Sequence, residues 1–146
     1  KLVPFRLIRL EGPAKLAFGA RLFALAEAKH PEMPANKREK ERGRYAHAPL
    51  VVVVVAHLRP GHKVPEVEQR ASANCVAHSL LLGAFALGYG AQWLTGWAAY
   101  DTDAAALLGL GPDEHVVGFV HIGTAQGEVP ERARPALTEV VSTWTP

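Results

Sequence analysis

Five consecutive valines, Val51 to Val55 in "APLVVVVVAHL", constrain this chain more than any other run. Side chains alternate between the two faces of a strand, so an all-valine strand is apolar on both. Such a strand must be covered on both sides, which makes it a central strand with structure above and below the sheet. "RPGHK" then breaks it. With 146 residues the chain is long enough for one domain whose core needs no disulfide or metal.

The flanking elements follow from periodicity. "PFRLIRLE", Pro4 to Glu11, alternates apolar and basic residues and reads as a strand with one solvated face. "GPAKLAFGARLFALAEAKH" puts Leu16, Phe18, Leu22, Phe23, Leu25 and Ala26 on a helical stripe, with Pro13 near its first turn. "PEMPANKREKERGRY" reads as a surface loop entering a short polar helix. Its basic residues are interspersed with Glu39 and Glu41, so a solvated face is favoured over a nucleic-acid surface. A formal charge of only +2 argues the same way. "VPEVEQRASANCVAHSLLLGAFALG" predicts one long helix, Pro65 to Leu87, with Pro65, Glu66 and Glu68 suited to its first turn. From Ala71 to Leu87 it is apolar nearly all round, which predicts burial on most sides, in the core and at a dimer interface. "AQWLTGWAAY" reads as strand and turn. "DTDAAALLGLGPDEH" is a short helix capped by Asp101 or Thr102 and ended by Gly109 or Gly111. "HVVGFVHIGTA" is another buried strand. The tail, "QGEVPERARPALTEVVSTWTP", reads as extended and ends in an apolar turn or strand. Strands and helices mix, so the class is α/β or α+β.

The stretch "LGYGAQWLTGW", Leu87 to Trp97, contains a G-x-G. A dinucleotide fingerprint must follow a strand and open a helix, whereas here the order is helix, G-x-G, strand. The C-terminal end of a helix is also the wrong pole for a phosphate. Gly88 is therefore expected as a left-handed helix stop, and Trp93 to Gly96 are expected to hold a ring. The seven histidines show no metal-ligand spacing, and Ser72 and Ser79 lack a nucleophile elbow. Cys75, mid-helix among apolar residues, is expected to be inert, and His78 to be packed or at an interface. Asn74 on the same helix needs a partner, which favours a helix–helix hydrogen bond over a ligand contact. Arg132 and Arg134 in "PERARP" could grip a phosphate, although composition alone favours a solvated tail. The single cysteine fits a reducing cytoplasm, and no apolar run reaches the roughly 18 residues of a membrane span.

Taken in order, "PFRLIRLEG", "APLVVVVVA", "HKVPEVEQRASANCVAHSLLLGAFALGYGAQWLTGW", "VVGFVHIGT" and "PERARP" resemble the FMN-dependent nitroreductase family, and most closely its small bacterial subgroup of NAD(P)H nitroreductases. The resemblance runs over nearly the whole chain and is most specific from His62 to Trp97. It implies an α+β sandwich, residues 1–146 forming one domain, with a mixed central sheet flanked by helices and a long central interface helix matching Pro65–Leu87. It implies a homodimer with FMN at the subunit interface and NAD(P)H as electron donor. Trp93, Leu94 and Thr95 would lie against the isoalloxazine ring, with the Thr95 and Gly96 backbone at N5 and O4. Arg132 and Arg134 would reach the phosphate. Gly83, Ala84, Phe85, Ala86, Leu87 and Gly88 match the subgroup's nicotinamide-cofactor segment. Similar proteins carry a helix with an Arg-Arg-Ser phosphate motif and a second flavin segment ahead of the position of Lys1, so the chain is expected to start inside a longer protein. Pro4-Phe5 stands where a Pro-Trp usually closes that second segment. No catalytic side chain is expected, because the cofactor carries the chemistry toward a nitroaromatic, quinone or similar acceptor. The rival readings are a non-catalytic flavin-binding or interaction module, a flavin-fragmenting or dehalogenating relative on the same fold, and a fragment without ligand.

Overall fold

The valine strand lies where its composition requires. In the computed structural model, which describes residues 1–127 and 130–146, β2 (Leu50–His57) follows β1 (Phe5–Glu11), α1 (Gly12–Lys29) and α2 (Ala35–Gly43). Next come α3 (Glu66–Ala86), β3 (Gly90–Leu94), a 3₁₀ turn (Trp97–Ala99), α4 (Thr102–Leu107), β4 (Glu114–Gly123) and a short α5 (Leu137–Val140). The sheet order is β1-β2-β4-β3, so β2 is interior. Val51, Val53 and Val55 pack with Leu10, Phe18, Leu22, Tyr45 and Phe119 under α1 and α2. Val54 and Ala56 face the other way, against Ala77 and Ala73 of α3. The rings of Phe18 and Phe119 each meet Tyr45 nearly edge-on, at centroid distances of 5.3 and 5.8 Å. At Gly19 α1 comes so close that a Cβ would lie 2.8 Å from the Tyr45 Cβ.

The sheet corrects one expectation. It is antiparallel at every pairing among the described residues, where a mixed sheet was implied. The topology supplies the reason. β2 and β3 run in the same direction and are joined through α3 as a parallel pair would be. β4 inserts between them and runs against both.

The long helix is covered on one face only within the chain. α3 spans 21 residues, about 32 Å, but buries only Gln69, Ala73, Ala77 and Ala84. Small side chains on that stripe let the helix lie close to the sheet. Gln69 fixes its start: the side-chain oxygen accepts from Arg59 N (2.8 Å), and the amide donates to Arg59 O (3.2 Å) and Val64 O (2.9 Å). Asn74, Cys75 and His78 are exposed on the outward side. Asn74 lies at the edge of a hollow beside Arg70 and His115, and His78 is not packed within the chain. Val67, Leu82, Phe85, Leu87 and Tyr89 are also exposed, between 50 and 76%. A helix apolar all round thus has one covered face and one apolar face open.

The helix stops behave as read. Gly88 is left-handed (φ +80°), its N–H donates to Phe85 O (3.0 Å), and Tyr89 N–H donates to Ala84 O (2.9 Å). Asp101 caps α4 through bonds from the amides of Asp103 and Ala104, and Gly109 (φ +65°) ends it. The tail ends in the exposed α5 and an extended segment, so its apolar part forms a helical turn. No helix among the described residues is long and apolar enough to cross a membrane.

Candidate functional site

A trough runs along the open side of β3. Gln92 sits directly opposite His121 in the β3–β4 register, and Leu94 opposite Phe119. Beside them, the last turn of α2 and the segment after it bring Lys40, Arg44, His47 and Ala48. These residues enclose about 350 Å³. An adjoining recess of about 590 Å³ shares His47, Ala48, Gln92 and His121 and continues past Gly90 and Gly123 to Gln126.

The trough is cationic. Lys40 contributes a charge that no described salt bridge engages. Arg44 is tied to Glu41 by two hydrogen bonds, one of 3.0 Å from Nε to Oε2, and the Trp97 indole donates to the same Oε2 at 3.4 Å. Burial alone would raise the Glu41 carboxyl, but Arg44 and Trp97 hold it below the usual range. His121 is pushed down to about 4 by burial first, then by Arg44, Lys15 and His47, so it is neutral near pH 7. Its Nε2 is buried with no hydrogen-bond partner among the described residues. Its ring lies 5.6 Å from the ring of Tyr45. Lys15, itself buried, donates to the carbonyl of Ala48 in the trough wall.

The end of β3 is shaped by a bulge. The β2–β4 register shifts between Val54 and Val55, leaving Val117 as the extra residue of β4. The Trp93 indole lies across Gly118 and donates to Val117 O at 3.2 Å. A Cβ on Gly118 would stand 2.0 Å from Trp93 Nε1. The Trp93 ring packs with Val54, Ala77 and Val120 on the α3 side of the sheet, opposite to the trough. Leu94 lines the trough; Thr95 and Gly96, both exposed, follow at its end. Gly96 adopts φ +71°, ψ −173°, a conformation essentially reserved for glycine, and turns the chain away from the sheet.

Gly83 to Gly88 form the last turn of α3 and its stop, with Ala84 buried and the others exposed. They lead directly into Gly90 in the wall of the larger recess. Arg132 and Arg134 lie on the exposed tail and line neither recess. Arg134 donates to the carbonyl of Arg132 and lies 3.7 Å from the Glu131 carboxylate. The structure thus brings Leu94, Thr95 and Gly96 to one place, turns the Trp93 ring elsewhere and keeps the tail arginines apart. Lys40, Arg44, His47, Gln92 and His121 were not singled out from the sequence. The available signal was a histidine two residues beyond Phe119 on a strand face that is otherwise core.

The sequence and the fold are similar to those of known proteins. The sequence model described as "Nitroreductase family" matches residues 6–124. The Escherichia coli K12 protein named "Putative NAD(P)H nitroreductase YdjA" is 32% identical over 123 residues, which are 84% of this chain and 66% of that protein. The chain therefore spans just under two thirds of the length of that curated relative. Among solved structures, a nitroreductase-like family protein from Bacillus cereus superimposes with a TM-score of 0.76 at 20% identity, over 96% of this chain and 73% of that one. A variant of the FMN and NADPH-dependent nitroreductase NfnB from sphigopyxis sp. strain HMH gives 0.62 at 19% identity, over 95% and 78%. With a match that covers most of its length and the fold agreeing, the chain belongs to the nitroreductase family.

Proposed function

We propose that this chain acts as an FMN-dependent oxidoreductase that takes electrons from NAD(P)H and passes them to a small electron-poor acceptor such as a nitroaromatic or quinone. The observation that carries this reading is the cationic trough that ends at the Gly96 turn. Its residues fit the cofactor. Lys40 and Arg44 offer positive charge to a phosphate, and the buried Nε2 of His121 lacks a partner. Leu94 gives an apolar wall, and Gly96 leaves the backbone beside it open to a flat ring, with nothing within 4 Å of where a Cβ would stand.

FMN, when bound, supplies reversible hydride acceptance at its N5. The chain's residues bind and orient. Leu94, Thr95 and Gly96 would hold the ring edge, while Trp93 supports them from the far side of the sheet. Lys40 and Arg44 would hold the phosphate, to which the resemblance also assigns Arg132 and Arg134 of the exposed tail. Gly83, Ala84, Phe85, Ala86, Leu87 and Gly88 form the approach for the nicotinamide cofactor. No acid–base side chain is needed. The names of the E. coli and NfnB relatives, with NAD(P)H in one and FMN and NADPH in the other, support the cofactor pair. Residues 1–146 act as one domain, in the cytoplasm. The open apolar face of α3 supports a homodimer, because exposed side chains of this size in one stripe mark an interaction surface.

Purified protein should carry visible flavin absorbance, or gain it with added FMN, and bleach anaerobically with NAD(P)H. Protein that binds no FMN overturns the reading, and protein that binds FMN but never bleaches reduces it to a flavin-binding module.

A further inference from the structure

A second cavity, of about 510 Å³, lies past the end of β3, between α4, the first residues of β4 and the N-terminal half of α3. A smaller hollow of about 180 Å³ opens from it and shares Arg70, Tyr100, His115 and Val116. The sheet explains why space is left there. β3 pairs with β4 only from Gly123 back to Phe119, so the start of β4 is paired with β2 on one side and has no strand on the β3 side. The Gly96 turn carries the chain outward, and the 3₁₀ turn and α4 form the far wall.

The charges in this cavity are unequally engaged. Its two carboxylates are both satisfied. Glu114 accepts from Arg6 Nε (2.5 Å), Arg6 Nη2 (2.9 Å) and Gly111 N (3.0 Å). Asp101 accepts from Lys29 (2.5 Å) and from the first amides of α4. The cationic side is free by comparison. Arg70 has only a loose pair with Glu66, at 3.9 Å on an exposed helix surface, which holds it weakly. His115 and the Asn74 amide stand beside it. Alanines 99, 105 and 106 with Leu110 and Val116 give an apolar floor, and the Tyr100 ring, 78% exposed, stands at the rim. The volume falls in the range of small-molecule sites. An apolar slot with a forked guanidinium at one end and an aromatic edge suits a flat acid.

We propose that this cavity is a second ligand site, distinct from the trough, that takes a small carboxylate carried on a planar apolar body. Arg70 binds the carboxylate, Asn74 and His115 orient it, and the ring lies between Tyr100 and the alanines of α4. The site shares no lining residue with the trough, so it stands or falls independently of flavin binding.

The test is a benzoate titration of ¹⁵N-labelled protein followed by amide chemical shifts, with benzamide as the neutral control. Saturable shifts should gather at Tyr100, Thr102, His115 and around Arg70. Benzamide should bind at least about fivefold more weakly. Arg70→Gln should weaken benzoate about tenfold, as expected for loss of a charged hydrogen-bond donor, with the rest of the spectrum unchanged. His115→Gln is a second, smaller lesion should the Arg70 variant fold poorly. Lys40→Gln should leave benzoate binding intact while weakening FMN. Shifts centred on His47 and His121, equal binding of benzamide, or an unaffected Arg70→Gln protein would each overturn the assignment.

Discussion

Gly118→Ala probes the joint on which the end of β3 depends. The added methyl would stand 2.0 Å from Trp93 Nε1, 2.4 Å from Cδ1 and 3.0 Å from the Leu94 carbonyl. Neither the indole nor β4 can absorb that overlap by a small shift, because the ring is packed against Val54, Ala77 and Val120. Overpacking of this kind costs about 1–3 kcal/mol. Displacing the indole also breaks its bond to Val117 O, about 1 kcal/mol more. The sum, roughly 2–4 kcal/mol, is a large share of a typical domain's stability. Urea unfolding followed by circular dichroism and tryptophan fluorescence measures it. The same substitution made in a Trp93→Ala background should cost far less, since only the Leu94 carbonyl is then crowded, so the double-mutant cycle should show strong coupling. A loss under about 0.5 kcal/mol with unchanged fluorescence, or additive effects in the cycle, would refute the account of the bulge.

Other perturbations reach the remaining parts. The Glu114 carboxyl is held down to about 2, first by its hydrogen bonds from Arg6, against 4.5 unperturbed, so its contribution is present above about pH 4.5 and lost as pH falls toward 2. Glu114→Gln should flatten the acid limb of a stability–pH curve, and identical limbs for the two proteins would contradict this. Lys40→Gln should weaken FMN binding about tenfold and lessen its salt dependence, read by quenching of flavin fluorescence; unchanged affinity removes Lys40 from the site. Gly96→Ala forces a non-glycine residue into φ +71°, at a cost of about 1–3 kcal/mol, and should reduce FMN affinity along with melting temperature. Phe85→Glu places a charge on the open face of α3 and should shift the protein to monomer in light scattering; an unchanged mass, whether monomer or dimer, rules this face out as the interface.

The parts that were legible in the sequence are those where local chemistry leaves one solution. Five valines permit only a covered strand, and a glycine after an apolar helix marks a left-handed stop. Asp101, Gly88 and Gly109 all took their expected places. Sequence misled where the answer depends on what lies across space. Ala71 to Leu87 read as buried in the core and at an interface, and which stripe of α3 meets the sheet is not written locally, since nothing there distinguishes Ala73 from Cys75. The antiparallel sheet follows from β4 inserting between β2 and β3, a decision taken about twenty residues after β3 is complete. The trough combines α2, β3 and β4. Lys40 and Arg44 are indistinguishable in sequence from their solvated neighbours until the fold sets them beside Gln92 and His121.

The source of the trough's positive charge has its own consequence. In nucleotide sites built on glycine loops, backbone amides and a helix N-terminus hold the phosphate, and side-chain changes remove only part of the field. Here the first turn of α1 reaches the trough wall through Lys15, which donates to Ala48 O, but two further helix ends there are C-termini: α2 ends at Gly43, and α3 stops at Gly88 just before Gly90. Both point partial negative charge toward it. The attraction for an anion therefore rests mainly on side chains, Lys40 and Arg44 with Lys15 behind the wall, with Arg44 partly neutralised by Glu41 and His121 uncharged near neutral pH. Unlike a helix dipole, that attraction can be removed one residue at a time. Lys40, with no described salt bridge competing for it, is the residue whose loss should be felt first.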